Sequence, residues 1–394
     1  MVGRLGLASA AEPLPQLQES SPNTRQIQSL QYSMKRIRKW AIVFLKAAIS
    51  IGILSYLVWD AVHKGEGLFR DEHGFNPLLL QQLVHHAADR WYLLLAALTA
   101  SAGAVLITFI RWWLLIRALG TPIRFGESLR LSFVGFLLNL APMGIVGGDM
   151  AKAILVARRF PGHRPESVAS VLLDRILGLY VLFITAGIAN LLTGFYRQPQ
   201  AIVQTVSVAV VAVSAVMTVG LIVLWAPDAT DGAFLRLLER LPLIGSAIAR
   251  LAEAIRRYRH NLPLITAAVF MTFPVHLLTA FSIFLISSSM FPSVHSVSYH
   301  FVMVPVSASA QVLPVSIGPT EFVLDRLYAS IPLISGETIP PGQGLLTMLV
   351  YRVITLIIAA IGVGYYLSSR QEWTTAMDEA EAAETDSAVA LESA

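Results

Sequence analysis

Hydrophobic residues along this 394-residue chain are gathered into long runs, and polar residues are mostly confined to the segments between them. A helix needs roughly 20 apolar residues to cross a hydrocarbon core of about 30 Å. Runs of that kind cover residues 41–59, 91–116, 168–192, 201–225, 262–290 and 345–367. The pattern therefore predicts an all-α fold, a polytopic transmembrane helical bundle with about six full spans.

Two further apolar runs, 131–146 and 301–317, are interrupted by proline and glycine before they are long enough to cross. Proline ends a helix because it lacks an N–H donor and its ring clashes with the preceding turn. Irregular backbone at membrane depth is tolerated only where protein or a water-filled cavity satisfies it. We therefore expect each run to form a re-entrant hairpin, which enters the membrane and returns to the same side.

Lysine and arginine are unevenly divided between the two sides that this topology defines. One side holds the basic segments 35–39, 117–130, 152–164 and 236–259 together with Arg370. The other side holds Lys64, Arg70, Arg90, Arg197 and Arg326. Cytoplasmic loops carry the excess of positive charge, so we expect both termini in the cytoplasm and the protein in the inner (cytoplasmic) membrane. If the run 131–146 crossed fully instead, segment 157–164 would lie outside and the bias would weaken.

The composition agrees with a membrane protein and removes several other classes. Hydrophobic residues make up 55% of the chain and charged residues 14%, with a mean hydropathy of +0.64, whereas average proteins are about a quarter charged. The net charge of +4 is explained by the topology and gives no reason to expect nucleic acid. Without cysteine there is no disulfide, thiolate zinc site or cysteine nucleophile. The sequence has no metal-ligand spacing, Walker loop or G-x-S-x-G motif, so we expect no cofactor and no metal.

Three segments flank or interrupt the membrane domain, which we place at residues 35–370. Residues 1–34 do not have the pattern of a cleaved signal and predict a disordered tail, and residues 371–394 predict an acidic disordered tail. Between two spans, residues 231–261 combine helical spacing of apolar residues with a basic face. This cytoplasmic segment would lie on the anionic inner leaflet or form a helical hairpin broken at Pro242, and the sequence leaves both open.

An internal repeat relates the two interrupted runs. Residues 139–149 read NLAPMGIVGGD, and residues 311–321 read QVLPVSIGPTE. In each, an amide side chain stands three residues before a proline and a carboxylate seven residues after it, and a span carrying one arginine follows. The matched residues are Asn139 and Gln311, Pro142 and Pro314, Asp149 and Glu321, and Arg175 and Arg352.

The two units of this repeat have opposite orientations, because the span before the first run goes inward and the span before the second goes outward. Broken helices in corresponding places of an inverted repeat point to the binding site of a transporter, and glycines there allow a ligand to approach the backbone closely. We therefore predict substrate-binding residues in both hairpins and in the helices after them, and we assign no residue as catalytic. They are Asn139, Pro142, Gly147, Gly148, Asp149, Lys152, Asp174, Arg175, Gln311, Pro314, Gly318, Glu321 and Arg352.

Charged residues of this set lie within apolar runs, where each costs about 2.5–3.5 kcal/mol at a helix centre and needs a partner. Asp174 points about 100° away from its neighbour Arg175 on a helix, so we expect it to pair with a cation of another helix, such as Arg111. We expect Asp149 and Glu321 to neutralise some of the arginines. Two interpretations remain open: internal ion pairs that hold the bundle together, or a cationic cavity for an anionic head group, since arginine matches phosphate oxygens.

Several stretches resemble the motifs of a known family. LAPMGIVGGDMAKAILVAR (140–158) and SVLLDRILGL (170–179) resemble the proline–G-G-D and D-R-x-x-G patterns of the lysylphosphatidylglycerol synthase transmembrane-region family, also called flippase-like. LPVSIGPTEFVL (313–324) resembles a later motif of that family, with Pro319 and Thr320 in place of the usual glycines. The resemblance covers residues 38–370 and implies a lipid translocator. It does not imply the synthase reaction, which belongs to a separate cytoplasmic domain that we do not expect in this chain.

The residues and the resemblance together predict a flippase or transporter that moves an anionic or isoprenoid-linked lipid across the cytoplasmic membrane. The expected partner is a membrane lipid with an anionic head group, and a homo-oligomer is left open. Two alternatives also stay open. One is a membrane-embedded lipid-modifying enzyme with Asp149, Asp174 or Glu321 as general acid or base. The other is a non-catalytic membrane partner of a separate glycosyltransferase or synthase.

Overall fold

The protein is a bundle of helices in the computed structural model of the chain. The structure describes residues 48–60, 78–140, 148–225, 261–312, 317–333 and 335–379, with short pieces at 45, 68, 70–71, 74–75 and 256–258. The helices are α1 Ala48–Asp60, α2 Leu78–Asp89, α3 Trp91–Ala118, α4 Phe125–Leu140, α5 Gly148–Arg159, α6 Arg164–Thr193, α7 Ala201–Trp225, α8 Leu262–Met290, α9 Val297–Ser309, α10 Pro319–Ser330 and α11 Gln343–Ser368. A two-residue antiparallel ladder, β1 Arg70–Asp71 with β2 Gly74–Phe75, precedes α2. The predicted helical bundle is confirmed.

Within the described residues, five helices are long and apolar enough to cross a membrane. They are α3, α6 with the short turn before it (Pro161–Thr193), α7 over Ala201–Ile222, α8 and α11. Each corresponds to one predicted span, and together they make the protein a multi-pass membrane protein. The number of spans stays a prediction. The described part of the sixth predicted span is α1, which is apolar but shorter; the rest of the run 41–59 lies outside the described residues.

The first interrupted run begins a helical hairpin, in which α5 returns antiparallel to α4. Near the turn, Asn139 Nδ2 lies 3.0 Å from Asp149 Oδ2, and at the far ends of the arms Glu127 pairs with Arg159. The arms have 16 and 12 residues, which is about 24 and 18 Å and less than the membrane core. This first hairpin fits the predicted re-entrant geometry, although its entry into the membrane stays a prediction. Its turn, 141–147, lies outside the described residues.

A second hairpin is formed by α9 and α10. His300, near the start of α9, has Nε2 2.5 Å from the hydroxyl of Tyr328 near the end of α10. His295, just before α9, has Nε2 3.1 Å from the Tyr328 carbonyl oxygen. Apolar side chains such as Met303 and Leu324 fill the space between the arms. The second hairpin is therefore also antiparallel, with arms of 13 and 12 residues.

Each hairpin lies between two long helices, so one architectural unit occurs twice, as α3–α6 and as α8–α11. The equivalent helices α3 and α8 run antiparallel along each other. Ser101 Oγ lies 2.7 Å from Ser282 Oγ, and ten residues further along α3 a guanidinium nitrogen of Arg111 lies 2.7 Å from Thr272 Oγ1, earlier in α8. The units also interlock, because α6 packs against α9 and α11 packs against α4. Equivalent helices with opposite directions agree with the predicted inverted repeat.

Basic residues are concentrated at one end of the bundle, here called the basic end. It holds the α3–α4 and α5–α6 connections and the start of α8, joined by the contacts Arg159–Glu127, Arg257–Glu166, Tyr258–Leu115 and Asn261–Ala118. The opposite end holds α2 and the α6–α7, α8–α9 and α10–α11 connections. The division agrees with the predicted topology, and the side of the membrane that the basic end faces stays a prediction. Lys152 departs from it, because this residue of a basic segment is buried inside the first hairpin.

The chain continues beyond α11 as a helical segment, 370–379, that packs on the first hairpin at the basic end. Trp373 and Ala376 are 2% and 0% exposed and belong to the same hydrophobic cluster as side chains of α4 and α5. A hydrogen bond from Arg158 lowers the pKa of the Glu379 carboxyl. The predicted disorder of the tail is therefore wrong for 371–379, because apolar residues three apart give this acidic segment a face to bury. Residues 380–394, the predicted tail 1–34 and most of 231–261 lie outside the described residues.

Candidate functional site

Four of the predicted residues meet at the first hairpin: the carboxylate of Asp149 and three side chains around it. Asp149, in the first turn of α5, accepts a hydrogen bond from Asn139 Nδ2 at 3.0 Å. Its Oδ1 lies 3.2 Å from Lys152 Nζ, and its Oδ2 is ion-paired with the Arg175 guanidinium on α6. The helix dipole also favours a carboxylate at this position. Asp149 therefore joins both arms of the hairpin to the long helix after it, and the prediction that it neutralises an arginine is confirmed.

Gly148 makes this convergence possible, because the two arms touch through their backbones at this position. A Cβ atom at Gly148 would lie 2.1 Å from the carbonyl oxygen of Gly135, where real Cβ atoms essentially never come within 3.0 Å. The structure thus gives Gly148 a packing role, which places Asn139 beside Asp149. The predicted residues Pro142 and Gly147 lie outside the described residues.

Lys152 is buried although it carries a charge. Its side chain is 7% exposed, and its Nζ lies 3.8 Å from the centre of the Trp112 ring on α3, a cation–π contact. The indole is held in place by its own hydrogen bond, from Nε1 to Ser170 Oγ on α6 at 3.3 Å. Trp112 was not among the predicted site residues. The sequence feature that could have indicated it is its position next to Arg111 inside an apolar run.

Asp174 pairs with Arg111 of α3, as its position on the helix predicts. Arg111 Nε donates to Asp174 Oδ1 at 2.8 Å, and a second guanidinium nitrogen lies 3.2 Å from the Asp174 carbonyl oxygen. The remaining nitrogen donates to Thr272 Oγ1 on α8 at 2.7 Å. This network joins three long helices and is nearly closed to the surface, since the Arg111 side chain is 5% exposed.

These residues form one charged group, which we call the cationic cluster: Arg111, Lys152, Arg175, Asp149 and Asp174. The two ion-paired networks are adjacent, because Asp174 and Arg175 are consecutive residues of α6. Three cations stand against two carboxylates, which leaves one positive charge in excess. Because a charge removed from water needs a counter-ion, the cluster favours the entry of an anion.

The cationic cluster opens to the surface through Arg175. Its side chain is 59% exposed, against 20% for that of Asp149. On the same face of α6, one and two turns away, lie the partly exposed apolar residues Val168, Leu172 and Leu179. A molecule that reaches Arg175 along this face therefore meets an apolar surface on either side of one exposed guanidinium.

The equivalent pair in the second hairpin is closed. Glu321, in the first turn of α10, is 0% exposed and is ion-paired with Arg352 of α11, which confirms that Glu321 neutralises an arginine. It also accepts a hydrogen bond from the Gly318 N–H at 2.8 Å. Gly318 has φ +115°, a region that favours glycine, and a Cβ there would lie 3.0 Å from Ile53 of α1. Glu321 thus caps its own helix under a cover provided by α1.

The two hairpins differ in charge as well as in exposure. One turn after the acid, the first hairpin has Lys152 and the second has Leu324. The residue before the arginine is Asp174 in the first unit and Tyr351 in the second. The second pair is therefore one acid and one arginine with no formal excess, and the Arg352 side chain is only 22% exposed.

The remaining polar residues in the described part of the chain do not build a metal site. No group of three or more histidine, aspartate or glutamate side chains within the described residues could hold a metal ion. His276, the histidine within α8, has Nε2 3.1 Å from the Gly178 carbonyl oxygen of α6. Gln311, the counterpart of Asn139, is exposed, and Pro314 lies outside the described residues.

Comparison with known proteins identifies a family for most of the chain. A family model described as the lysylphosphatidylglycerol synthase TM region matches residues 43–362, a stretch that includes both hairpins and the cationic cluster. No curated protein matches the chain.

Proposed function

The chain belongs to the lysylphosphatidylglycerol synthase transmembrane-region family, and we propose that it moves a lipid with an anionic head group across the cytoplasmic membrane. One observation carries this proposal: the cationic cluster has an excess of positive charge and opens at Arg175. The head group would bind there. The first hairpin would enter from the cytoplasm, where both termini would also lie, as the distribution of lysine and arginine predicts.

A phosphate group suits this cluster because it supplies the negative charge that the cluster lacks. Arg175 is bound to Asp149 on one side, and a guanidinium has five N–H donors in a planar fork, so others remain to meet phosphate oxygens. Behind it, Arg111 and Lys152 are 5% and 7% exposed. They would raise the local positive potential without touching the lipid.

The surroundings of Arg175 suit a lipid better than a soluble anion. The apolar face formed by Val168, Leu172 and Leu179 lets hydrocarbon tails stay in the bilayer while the head group reaches the guanidinium. A translocator of this kind needs to shelter only the head group, so it has no need of a continuous aqueous pore. Two hairpins that each reach part of the way would provide such a route from opposite faces.

The difference between the hairpins suggests the order in which they open during translocation. Inverted repeats support alternating access, in which the two halves exchange roles around one site. In this structure the first hairpin is open and the second is closed under α1. The head group would be taken up at Arg175 while Arg352 remains paired, and the reverse state would open the second hairpin.

The enzyme alternative has weaker support from the same contacts. Asp149, Asp174 and Glu321 are each ion-paired with arginine or lysine. Their carboxylate oxygens are therefore already engaged by side chains of the protein, whereas a general acid or base has to meet the substrate. Lipid mass spectrometry of a deletion strain separates the two functions, because loss of an enzyme removes a lipid species and loss of a translocator only misplaces it.

The test is transbilayer movement of a fluorescent head-group-labelled anionic lipid in liposomes that contain the purified protein. An impermeant reductant added outside quenches only the outer leaflet, so the quenched fraction should rise with protein and time. Zwitterionic lipid should move more slowly, and Arg175→Gln should abolish the protein-dependent movement.

The matched control is Arg197→Gln, which removes an exposed arginine at the opposite end whose Nε contacts the neighbouring Tyr196. This variant should transport as the wild type does. If neither anionic nor isoprenoid phosphate lipids move faster with protein, with or without an ion gradient, the translocator proposal is wrong.

A further inference from the structure

A cavity of about 690 Å³ lies at the opposite end of the bundle, away from the cationic cluster. Its walls are one face of α2, the segment that follows α8 and the connection between α10 and α11. Its volume is within the range of roughly 300–1,000 Å³ typical of small-molecule sites. The proposed translocation through the hairpins gives this cavity no role.

Hydrogen bonds between the walls hold the cavity at a defined width. On one side, the Leu68 N–H donates to the Pro341 carbonyl oxygen at 3.1 Å. Behind the end of α2, Arg90 donates to the Ser288 carbonyl oxygen of α8 at 2.9 Å. At the start of α11, Gln343 Nε2 donates to the Ser293 carbonyl oxygen at 3.0 Å. Each wall is therefore tied to a different long helix or connection, so the space is part of the fold and not a gap beside one loop.

The lining combines apolar surface with hydrogen-bonding side chains. None of the described residues that line it is lysine or arginine. Its polar side chains are Gln82, His86, Ser293, Glu337, Thr338 and Gln343. Amides and hydroxyls both donate and accept, which is what a hydroxyl group requires of its partner. A phosphate would find no cation here, so the chemistry differs from that of the cationic cluster.

The position of α2 indicates how a lipid would reach the cavity. Leu79 and Leu83 face the cavity, whereas Leu80 and Val84 are 50% and 63% exposed on the other side of the helix. With 12 residues, α2 is about 18 Å long and cannot cross a bilayer. The outer side of α2 is amphipathic, because the exposed polar residues Gln81 and His85 lie beside these two apolar side chains. A short amphipathic helix of this kind suits the membrane interface. The cavity would then open beside the leaflet at this end of the protein.

We propose that this cavity binds a neutral, polyhydroxylated head group carried on an alkyl chain. The amide and hydroxyl side chains meet the hydroxyls of the ligand, and Glu337 accepts from two of them at the rim. The apolar lining, including Leu83 and Phe291, holds the start of the alkyl chain. This site is separate from the proposed anion site in both place and charge.

Protection of a single cysteine tests the proposal, because the chain has no native cysteine. In nanodiscs, Thr338→Cys should react with a maleimide, and an alkyl maltoside below its micelle concentration should slow that reaction severalfold. Tyr196→Cys, 40% exposed at the same end but away from the cavity, should react at an unchanged rate. Adding Gln82→Leu to Thr338→Cys should raise the half-protecting concentration by a factor of roughly 2 to 10, the size of one hydrogen bond. Gln82 is exposed, so folding should be preserved.

Three other ligands decide the chemistry. An alkanol of the same chain length should protect Thr338→Cys poorly, and equal protection would show that hydroxyls are not recognised. Free maltose should also protect poorly, and equal protection would place the ligand in solution and remove the lipid from the proposal. Stronger protection by an alkyl phosphate, or no protection by any ligand, would overturn it.

Discussion

The close contact between the arms of the first hairpin predicts that Gly148→Ala disrupts the cationic cluster. The new Cβ would lie 2.1 Å from the Gly135 carbonyl oxygen and 2.8 Å from its carbonyl carbon. These are backbone atoms, so a change of rotamer cannot relieve the contact. To reach an ordinary contact of 3.4 Å the arms must separate by about 1.3 Å. The same movement would stretch the bond between Asn139 and Asp149 from 3.0 Å to beyond the limit of a hydrogen bond.

The cost has two parts. Overpacking of a well-packed contact costs about 1–3 kcal/mol, and loss of a hydrogen bond to a charged carboxylate costs about 1.5–3 kcal/mol. Together they predict a loss of about 2.5–6 kcal/mol in the free energy of unfolding, with weakened lipid transport because Asp149 no longer orients Arg175 and Lys152. The variant should therefore unfold in detergent at a temperature several degrees lower than the wild type.

Gly126→Ala is the matched control for this change. Gly126 also lies in α4, but its added Cβ would have no atom within 4 Å. Alanine favours a helix over glycine by about 0.5–1 kcal/mol, so this variant should be neutral or slightly more stable. Equal melting and transport of the Gly148→Ala and Gly126→Ala proteins would refute the packing on which the site depends.

Three further outcomes follow from the contacts. Arg352→Gln should destabilise the protein by about 3–5 kcal/mol, because it leaves a fully buried carboxylate without its cation. Arg175→Gln should melt close to the wild type, and a larger loss of stability in Arg175→Gln than in Arg352→Gln would contradict the description of the first pair as open and the second as closed. Trp373→Ala should lower the free energy of unfolding by about 3–5 kcal/mol, since this side chain is 2% exposed. An unchanged thermal melting curve would show that the segment after α11 does not pack on the bundle. In spheroplasts, Tyr196→Cys should react with an impermeant maleimide and Arg159→Cys should not, whereas the opposite pattern would invert the topology.

Much of the architecture could be predicted from the sequence because it depends on distances along the chain. Span length depends on membrane thickness, and the matched spacing of proline and acid in 139–149 and 311–321 marks both hairpins. The pairing of Asp174 with Arg111 follows from helical geometry, since a neighbour of Arg175 has to face another helix.

What could not be predicted depends on packing between distant segments. The repeat made Arg175 and Arg352 equivalent, yet α1 lies over the second hairpin and the first pair remains open. The contact between Lys152 and Trp112 joins residues forty positions apart without a spacing signal. The packed segment 371–379 was hidden by its acidic composition, which outweighed the apolar face formed by Trp373 and Ala376.

The packing of the first hairpin also has a consequence for biosynthesis. Its arms are translated early, but α4 packs against α11, where Gly362 lies against the Phe133 carbonyl oxygen, and the core of the hairpin is covered by Trp373 and Ala376. More than two hundred residues must therefore leave the ribosome after α5 before these contacts can form. The partners of the charged residues of the hairpin, on α3 and α6, are available much earlier. Chains that end before Trp373 would therefore contain every residue of the cationic cluster but would leave the apolar core of the first hairpin uncovered.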